Sequence, residues 1–291
     1  MRLKNLSLGF LIAASLIAPT FAHADTTVVQ DRFSDQIVGT GPDLILIPGL
    51  ASSRDTWKAT AERLKAHYRV HLIQVAGFAG EPARGNAKGE VVVPTAEAID
   101  AYLVEKKLTP AVVVGHSLGG TMTLYLAEHH PDHLKKAMLV DALPYFATLM
   151  NPAATIETMK PMADKVRSAT EKMTPQQSEM MMRSMATALA DIDTIKAWGA
   201  ASDKGTVANA TADDLMLDLR PGLATITTPI ALLHPDYSAM GAPAGVTDQM
   251  YRAAYAAAPT VKVIEIAPSL HFIMFDQPAK FDAALDSFLA Q

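Results

Sequence analysis

The sequence predicts an α/β protein, built as a mostly parallel, doubly wound sheet with an inserted helical cap. Short apolar runs alternate with amphipathic helical stretches over residues 43–140, and the alternation returns over residues 229–289. The short runs are apolar at consecutive positions, which is typical of strands buried on both faces of a parallel sheet. Between residues 144 and 223 the alternation stops and only helical patterns occur.

Composition limits the classes of function. The chain has 291 residues, 49% of them hydrophobic and 19% charged, with a formal net charge of -5. Such a chain can bury a full core, and its negative charge argues against a nucleic-acid partner. There is no cysteine, which excludes disulfides, thiolate metal sites and a cysteine nucleophile.

The first residues are typical of a cleavable signal peptide. Arg2 and Lys4 precede an apolar run, Leu6–Phe21, and Ala22-His23-Ala24 gives a small-x-small cleavage pattern. We therefore expect residues 1–24 to be removed and the mature protein to be periplasmic or secreted. The apolar run is short for a membrane span, and cleavage would remove it, so no span is expected in the mature protein.

The elements follow from apolar runs, caps and breakers. Strands are predicted at residues 43–47, 68–75, 111–115, 136–140, 229–233 and 261–266. Helices are predicted at residues 57–67, 95–108, 118–128, 246–257 and 279–289 and, within the cap, at 153–171 with a break near Pro161, 175–189, 191–200 and 208–217. Residues 25–143 and 224–291 then form the core domain, and residues 144–223 form the cap.

One motif predicts a nucleophile. Gly115-His116-Ser117-Leu118-Gly119 fits G-x-S-x-G, directly after an apolar strand and before a helix. The sharp turn between strand and helix strains the serine backbone and tolerates only very small neighbours, which Gly115 and Gly119 provide. It should project the Ser117 hydroxyl from the carboxyl edge of the sheet, above a helix N-terminus.

Two backbone N–H groups are predicted to form an oxyanion hole. Leu118 follows the nucleophile and begins the helix, so its N–H points at the reacting carbonyl. Leu50 follows Pro48-Gly49 at the end of an earlier strand, where the backbone must approach the nucleophile. The alternative for Pro48-Gly49 is an ordinary turn that ends a strand.

His271 is the predicted general base. It follows the last strand and precedes the C-terminal helix, which places it after the serine and at the carboxyl edge of the sheet. His129, His130 and His133 have a spacing that also occurs in metal sites. They straddle Pro131 at a helix end, where cations favour the helix dipole, so we predict no metal site there.

The acid that orients His271 has two candidates. Asp141 ends the strand that follows the serine strand, and Asp236 ends the next strand along the chain. Either carboxylate could hold the imidazole and stabilise its charged form. The residues alone leave both open, since Asp is also a common cap and turn residue.

These motifs resemble the α/β-hydrolase superfamily, in particular its cap-bearing members. The resemblance runs from about Leu44 to Leu289 and depends on Gly115–Gly120 and on the C-terminal pattern from His271 through Gln277-Pro278 to Leu289. It implies an α/β-hydrolase fold with the cap inserted after the sixth strand. It also favours Asp141 as the acid, because some relatives carry their acid after that strand. Two features depart from the family: Pro48-Gly49 replaces the usual His-Gly, and no residue matches the more common acid position.

The resemblance implies a serine hydrolase that cleaves a carboxylic ester, or an amide, through an acyl-enzyme without cofactor or metal. The alternatives on the same fold are a cofactor-free haloperoxidase, a lactonase, an aminopeptidase or a non-catalytic binding protein. The expected partner is a small-molecule substrate with an apolar acyl group. Eight of the 15 methionines lie between Met150 and Met185, where they either fill the core of the cap or line an acyl site.

Overall fold

The computed structural model describes residues 26–168 and 174–291. Its strands are β1 (Thr26–Val29), β2 (Phe33–Gly39), β3 (Asp43–Ile47), β4 (Arg69–Val75), β5 (Ala111–His116), β6 (Leu134–Val140), β7 (Ile230–Pro235) and β8 (Val261–Ile266). Its α-helices are α1 (Lys58–Leu64), α2 (Val92–Glu105), α3 (Leu118–His129), α4 (Ile156–Arg167), α5 (Pro175–Arg183), α6 (Leu189–Ala201), α7 (Lys204–Met216), α8 (Val246–Ala254), α9 (Ile273–Asp276) and α10 (Pro278–Leu289). The predicted signal peptide, residues 1–24, lies outside the described residues.

The eight strands form one sheet in the order β1-β2-β4-β3-β5-β6-β7-β8. The strands from β4 to β8 in this order are parallel, whereas β1 and β2 add an antiparallel edge. Side chains of β3 show how the sheet is covered. Leu44 and Leu46 pack with α1 and α10 on one face, and Ile45 and Ile47 pack with α2 and α3 on the other. The predicted α/β class is confirmed.

The segment between β6 and β7 carries helices α4 to α7. A small core of its own holds α4 against α7 and includes Tyr145, Met159 and Leu215. The predicted break near Pro161 was wrong, because α4 continues through this residue. Pro161 and Glu157 are both exposed, so water can bind the carbonyl that loses its helical partner. None of the helices described is long and apolar enough to cross a bilayer.

The turn from β5 into α3 is held by backbone contacts. Ser117 has a φ of 52° and a ψ of -121°, a conformation that non-glycine residues rarely adopt. A Cβ atom on Gly119 would lie 2.6 Å from the Pro48 carbonyl oxygen, and one on Gly49 would lie 3.0 Å from the Ser117 Cβ. The end of β3 and the first turn of α3 therefore pack without side chains between them.

A buried ion cluster joins the antiparallel edge to the parallel sheet. His71 of β4 places Nδ1 2.7 Å from the Asp35 carboxylate and Nε2 3.0 Å from the Asp43 carboxylate. The Tyr102 hydroxyl also donates to Asp35, at 2.9 Å. Burial alone would lower the pKa of the His71 imidazole, but its two carboxylate partners outweigh this effect and raise the pKa above its ordinary value. His71 is therefore favoured as a cation.

We expect Gly119→Ala to destabilise the protein by about 1–3 kcal/mol, because the new methyl group meets backbone that cannot move away. The matched control is Gly199→Ala in α6, where a Cβ would meet nothing within 4 Å. That substitution should leave stability unchanged or raise it by about 0.5–1 kcal/mol. Urea unfolding of both variants checks this contrast, and equal effects would contradict the packing described for α3.

Replacing His71 with Gln should cost about 3 kcal/mol below pH ~6, since it leaves the buried Asp35 carboxylate without its cationic partner. A histidine whose folded pKa is raised contributes its full stability below the unfolded pKa and loses it as pH rises through the folded pKa. The difference between wild type and His71→Gln should therefore shrink as the pH rises above ~6. Thermal unfolding across this range measures it, with the exposed His67→Gln as control. A constant difference would contradict a charged His71.

Candidate active site

Strand register brings Ser117 and Asp141 to one edge of the sheet. His116 of β5 pairs with Val140 of β6 in a parallel ladder, so the residues that follow both leave the sheet at its carboxyl edge. The Ser117 N–H donates to the Val140 carbonyl at 2.9 Å. Asp141 also has a positive φ, of 50°, and its N–H donates to Leu233 of β7 at 2.8 Å.

His271 reaches Asp141 from the loop between β8 and α9. Its Nδ1 lies 2.5 Å from Asp141 Oδ2, and the imidazole is 18% exposed. Because the carboxylate accepts the hydrogen bond, Nδ1 carries the proton and Nε2 is left as the basic nitrogen. Ser117, Asp141 and His271 line one cavity. The three side chain types are those of a nucleophile, an orienting acid and a base.

Two tyrosines that sequence reasoning missed also bind Asp141. The Tyr237 hydroxyl donates to Oδ2 at 2.9 Å, and the Tyr251 hydroxyl of α8 donates to Oδ1. Burial alone would raise the pKa of the Asp141 carboxyl, but electrostatic attraction to the His271 imidazole and the hydrogen bonds from His271 and the two tyrosines outweigh it and lower the pKa. The carboxylate is therefore ionised despite its burial, and it faces the base with a full charge.

Asp236 lies beyond the end of β7, where it forms hydrogen bonds that hold the neighbouring loop. Its Oδ1 accepts the Ser269 N–H at 3.0 Å, and its backbone carbonyl accepts the Thr247 hydroxyl at 3.0 Å. Of the two acid candidates, the structure brings Asp141 to His271, whereas Asp236 holds the turn that leads to His271. The positions of both residues at strand ends gave no signal that separated these roles.

The two predicted oxyanion donors come from segments that meet at Ser117. Leu118 is the first residue of α3, so its N–H has no acceptor within its own helix. Leu50 follows Gly49, whose backbone packs against Ser117 and the His116 ring. The N-terminal end of the α3 dipole adds positive potential at this point.

The cap and the end of β5 together hold the loop that carries His271. The His271 N–H donates to the Ser184 carbonyl at 3.2 Å, and the Phe272 N–H donates to the Met185 carbonyl at 2.7 Å. On the other side, Nε2 of the buried His116 lies 3.0 Å from the His271 carbonyl. Burial, with a smaller contribution from the neighbouring His271, lowers the pKa of His116 to about 3, so His116 is neutral and donates this hydrogen bond.

The cavity above Ser117 is small, about 40 Å³, which is close to the volume of one or two waters. Its remaining lining residues, mostly apolar, are Thr121, Ala142, Leu143, Phe146, Leu149, Asp214, Tyr237 and Tyr251. An open cleft of about 610 Å³ continues from it, since Leu149 and Tyr237 line both. Met150, Met180, Met181 and Met240 also line this cleft. The methionines of the cap thus fall into two groups. Some line the cleft, whereas Met159, Met182 and Met185 pack in the core.

The cluster near the end of α3 lies away from this cavity. Asp100, His130 and His133 bring one ligand atom each within 4.8 Å of one another. His133 Nδ1 lies 2.8 Å from Asp100, and His130 Nε2 lies 3.1 Å from the Glu97 carboxylate. His129 stacks on the Tyr125 ring at 4.0 Å. Each histidine is thus accounted for by contacts within the protein.

Comparison with known proteins adds sequence evidence. The family model described as "alpha/beta hydrolase fold" matches residues 42–175. The pimeloyl-[acyl-carrier protein] methyl ester esterase of Vibrio vulnificus is 35% identical over 112 residues, which are 38% of this chain and 41% of that protein. The chain thus matches about two-fifths of the length of such curated relatives.

Solved structures share the fold over most of the chain. A thermophilic esterase from Thermogutta terrifontis matches with a TM-score of 0.73 at 19% identity, covering 91% of this chain and 98% of its own. An enol-lactonase from Burkholderia xenovorans matches with a TM-score of 0.72 at 19% identity, covering 89% and 96%. At such identity the likeness establishes the fold alone. Together with the family match over residues 42–175, it supports the α/β-hydrolase fold for this chain.

Proposed function

We propose that the protein is a serine hydrolase that cleaves carboxylic esters through an acyl-enzyme. The observation that carries this proposal is the hydrogen bond from His271 Nδ1 to the buried Asp141 carboxylate, at 2.5 Å, in the cavity that Ser117 also lines. The relatives named as esterases support ester hydrolysis. An amide substrate is the less favoured alternative, since no relative considered above is named for one.

The reaction would follow from these roles. His271 Nε2 takes the proton of the Ser117 hydroxyl, and the serine oxygen attacks the ester carbonyl carbon. The N–H groups of Leu118 and Leu50 hold the oxyanion of the tetrahedral intermediate. The bond to the alkoxide then breaks as His271 returns the proton to the leaving oxygen. Water, deprotonated by the same histidine, attacks the acyl-enzyme and releases the acid and the free serine.

Asp141 would assist in two ways. Its hydrogen bond fixes the tautomer in which Nε2 is basic, and its charge stabilises the imidazolium that forms during each step. The Tyr237 and Tyr251 hydroxyls keep this carboxylate ionised and in place. Asp236 would act only on the conformation of the loop.

The size of the cavity suggests how the substrate binds. A space of about 40 Å³ admits a short acyl group, so we place the acyl side of the ester there. The open methionine-lined cleft would take a larger apolar alcohol group, because thioether side chains adapt to varied shapes.

Ser117→Ala should lower hydrolysis of p-nitrophenyl acetate by about 10⁶-fold in kcat, because the variant cannot form the acyl-enzyme. Steady-state release of p-nitrophenolate measures the effect. Ser287→Ala, exposed on α10 and away from the cavity, should retain nearly full activity. Unchanged activity in Ser117→Ala would contradict the proposal.

Asp141→Asn should lower kcat by about 10⁴-fold, because an amide favours the wrong imidazole tautomer. Asp236→Asn should cost less than about tenfold, since it weakens one loop hydrogen bond worth about 1 kcal/mol. Both variants are assayed with the same ester, and circular dichroism checks that they fold. The reverse order of the two losses would assign the acid to Asp236.

A further inference from the structure

A carboxyl group without a role in the proposed reaction lies in the same cavity. Asp214 of α7 is 9% exposed and lines the cavity together with Ser117 and His271. Its Oδ1 is buried without a hydrogen-bond partner. Among residues 26–168 and 174–291, no ion pair involves Asp214. A buried carboxyl oxygen without a hydrogen-bond partner destabilises the fold, so a functional role would explain why it is there.

The neighbours of Asp214 do not supply a partner for this oxygen. The adjacent Asp213 is bound elsewhere, since its carboxylate accepts the Val91 N–H at 2.6 Å and pairs with Arg167 at 2.8 Å. Arg167 therefore neutralises Asp213 and not Asp214. Burial raises the pKa of Asp214 to about 7, and the hydrogen bond with the Thr121 hydroxyl offsets only part of the increase, to which the charge of Asp213 adds.

The position of Asp214 relative to the nucleophile is set by α3. Thr121 follows Ser117 by one helical turn, and its N–H donates to the Ser117 carbonyl at 2.9 Å. Asp214 of α7 meets α3 at Thr121, one turn beyond the serine, and lines the same cavity. A group at the far end of a short acyl chain, with its carbonyl at Ser117, would point towards this side of the cavity.

We propose that Asp214 selects substrates whose short acyl chain ends in a hydrogen-bond donor, a hydroxyl or a protonated amine. Such a group would occupy the free Oδ1, while the apolar walls formed by Leu143 and Phe146 contact the chain itself. This assignment rests on the proposed function, because it places the acyl group of the ester in the cavity of Ser117. It differs from the sequence-based expectation of a wholly apolar acyl group.

Three p-nitrophenyl esters of equal heavy-atom count test the assignment: the butyrate, the β-hydroxypropionate and the β-aminopropionate as its ammonium salt. They differ only in a terminal methyl, hydroxyl or ammonium group. In the wild type, kcat/KM for a donor-bearing ester should exceed that for the butyrate. Asp214→Leu should lower this ratio by roughly tenfold to a hundredfold, since a hydrogen bond to a buried charged group is lost.

Two further variants sharpen the test. Asp214→Asn keeps an acceptor oxygen without charge, so it should retain a preference for the hydroxyl ester and lose one for the ammonium ester. Asp213→Asn removes the neighbouring carboxylate outside the cavity, so it should lower thermal stability and leave the ester ratios unchanged. Asp214→Leu with unchanged ratios would overturn the assignment and leave the serine mechanism intact. A wild type that hydrolyses none of the three would remove the proposed function, and the assignment with it.

Discussion

The first turn of α3 packs directly against the backbone at the end of β3, and the rest of the site depends on this contact. It is possible because Gly119 and Gly49 have no side chains at the point of closest approach. The same contact holds Ser117 in its strained conformation, which costs about 1–3 kcal/mol and which only surrounding structure can maintain. It also brings the segments that carry Leu50 and Leu118 together at the serine. Nucleophile and candidate oxyanion donors thus come from one packing constraint.

The pKa values of two buried carboxyl groups in this cavity shift in opposite directions. Asp141 has hydrogen-bond donors in His271, Tyr237 and Tyr251, so its pKa is lowered despite burial. Asp214 has none of these, so burial raises its pKa to about 7. A shared cavity therefore holds one carboxylate that stays ionised and one that changes charge near neutral pH. The first suits a permanent role beside His271, whereas the second is left free to respond to a ligand.

Much of the fold could be predicted from the sequence, and what was missed has a physical cause. The six strands from β3 to β8 are short and largely apolar, and the G-x-S-x-G motif is local in sequence, so both can be identified without tertiary information. β1 and β2 were missed because β2 buries Ser34 and Asp35, whose partners Arg54, His71 and Tyr102 are distant in the chain. Asp141 and Asp236 look alike as residues at strand ends, and only the register and the loop geometry separate them. Asp214 is distinguished by burial against Thr121, a contact that no local pattern shows.

The central claim is that Ser117 is the reacting nucleophile, and the most direct measurement is the site of covalent labelling. A fluorophosphonate reacts only with a serine that a neighbouring base activates. The folded protein is treated with the reagent, digested and mapped by mass spectrometry. We predict one adduct, on the peptide that contains Ser117, with loss of esterase activity in step with labelling. An adduct on a different residue, or full hydrolysis of esters by protein that remains unlabelled, would contradict this account.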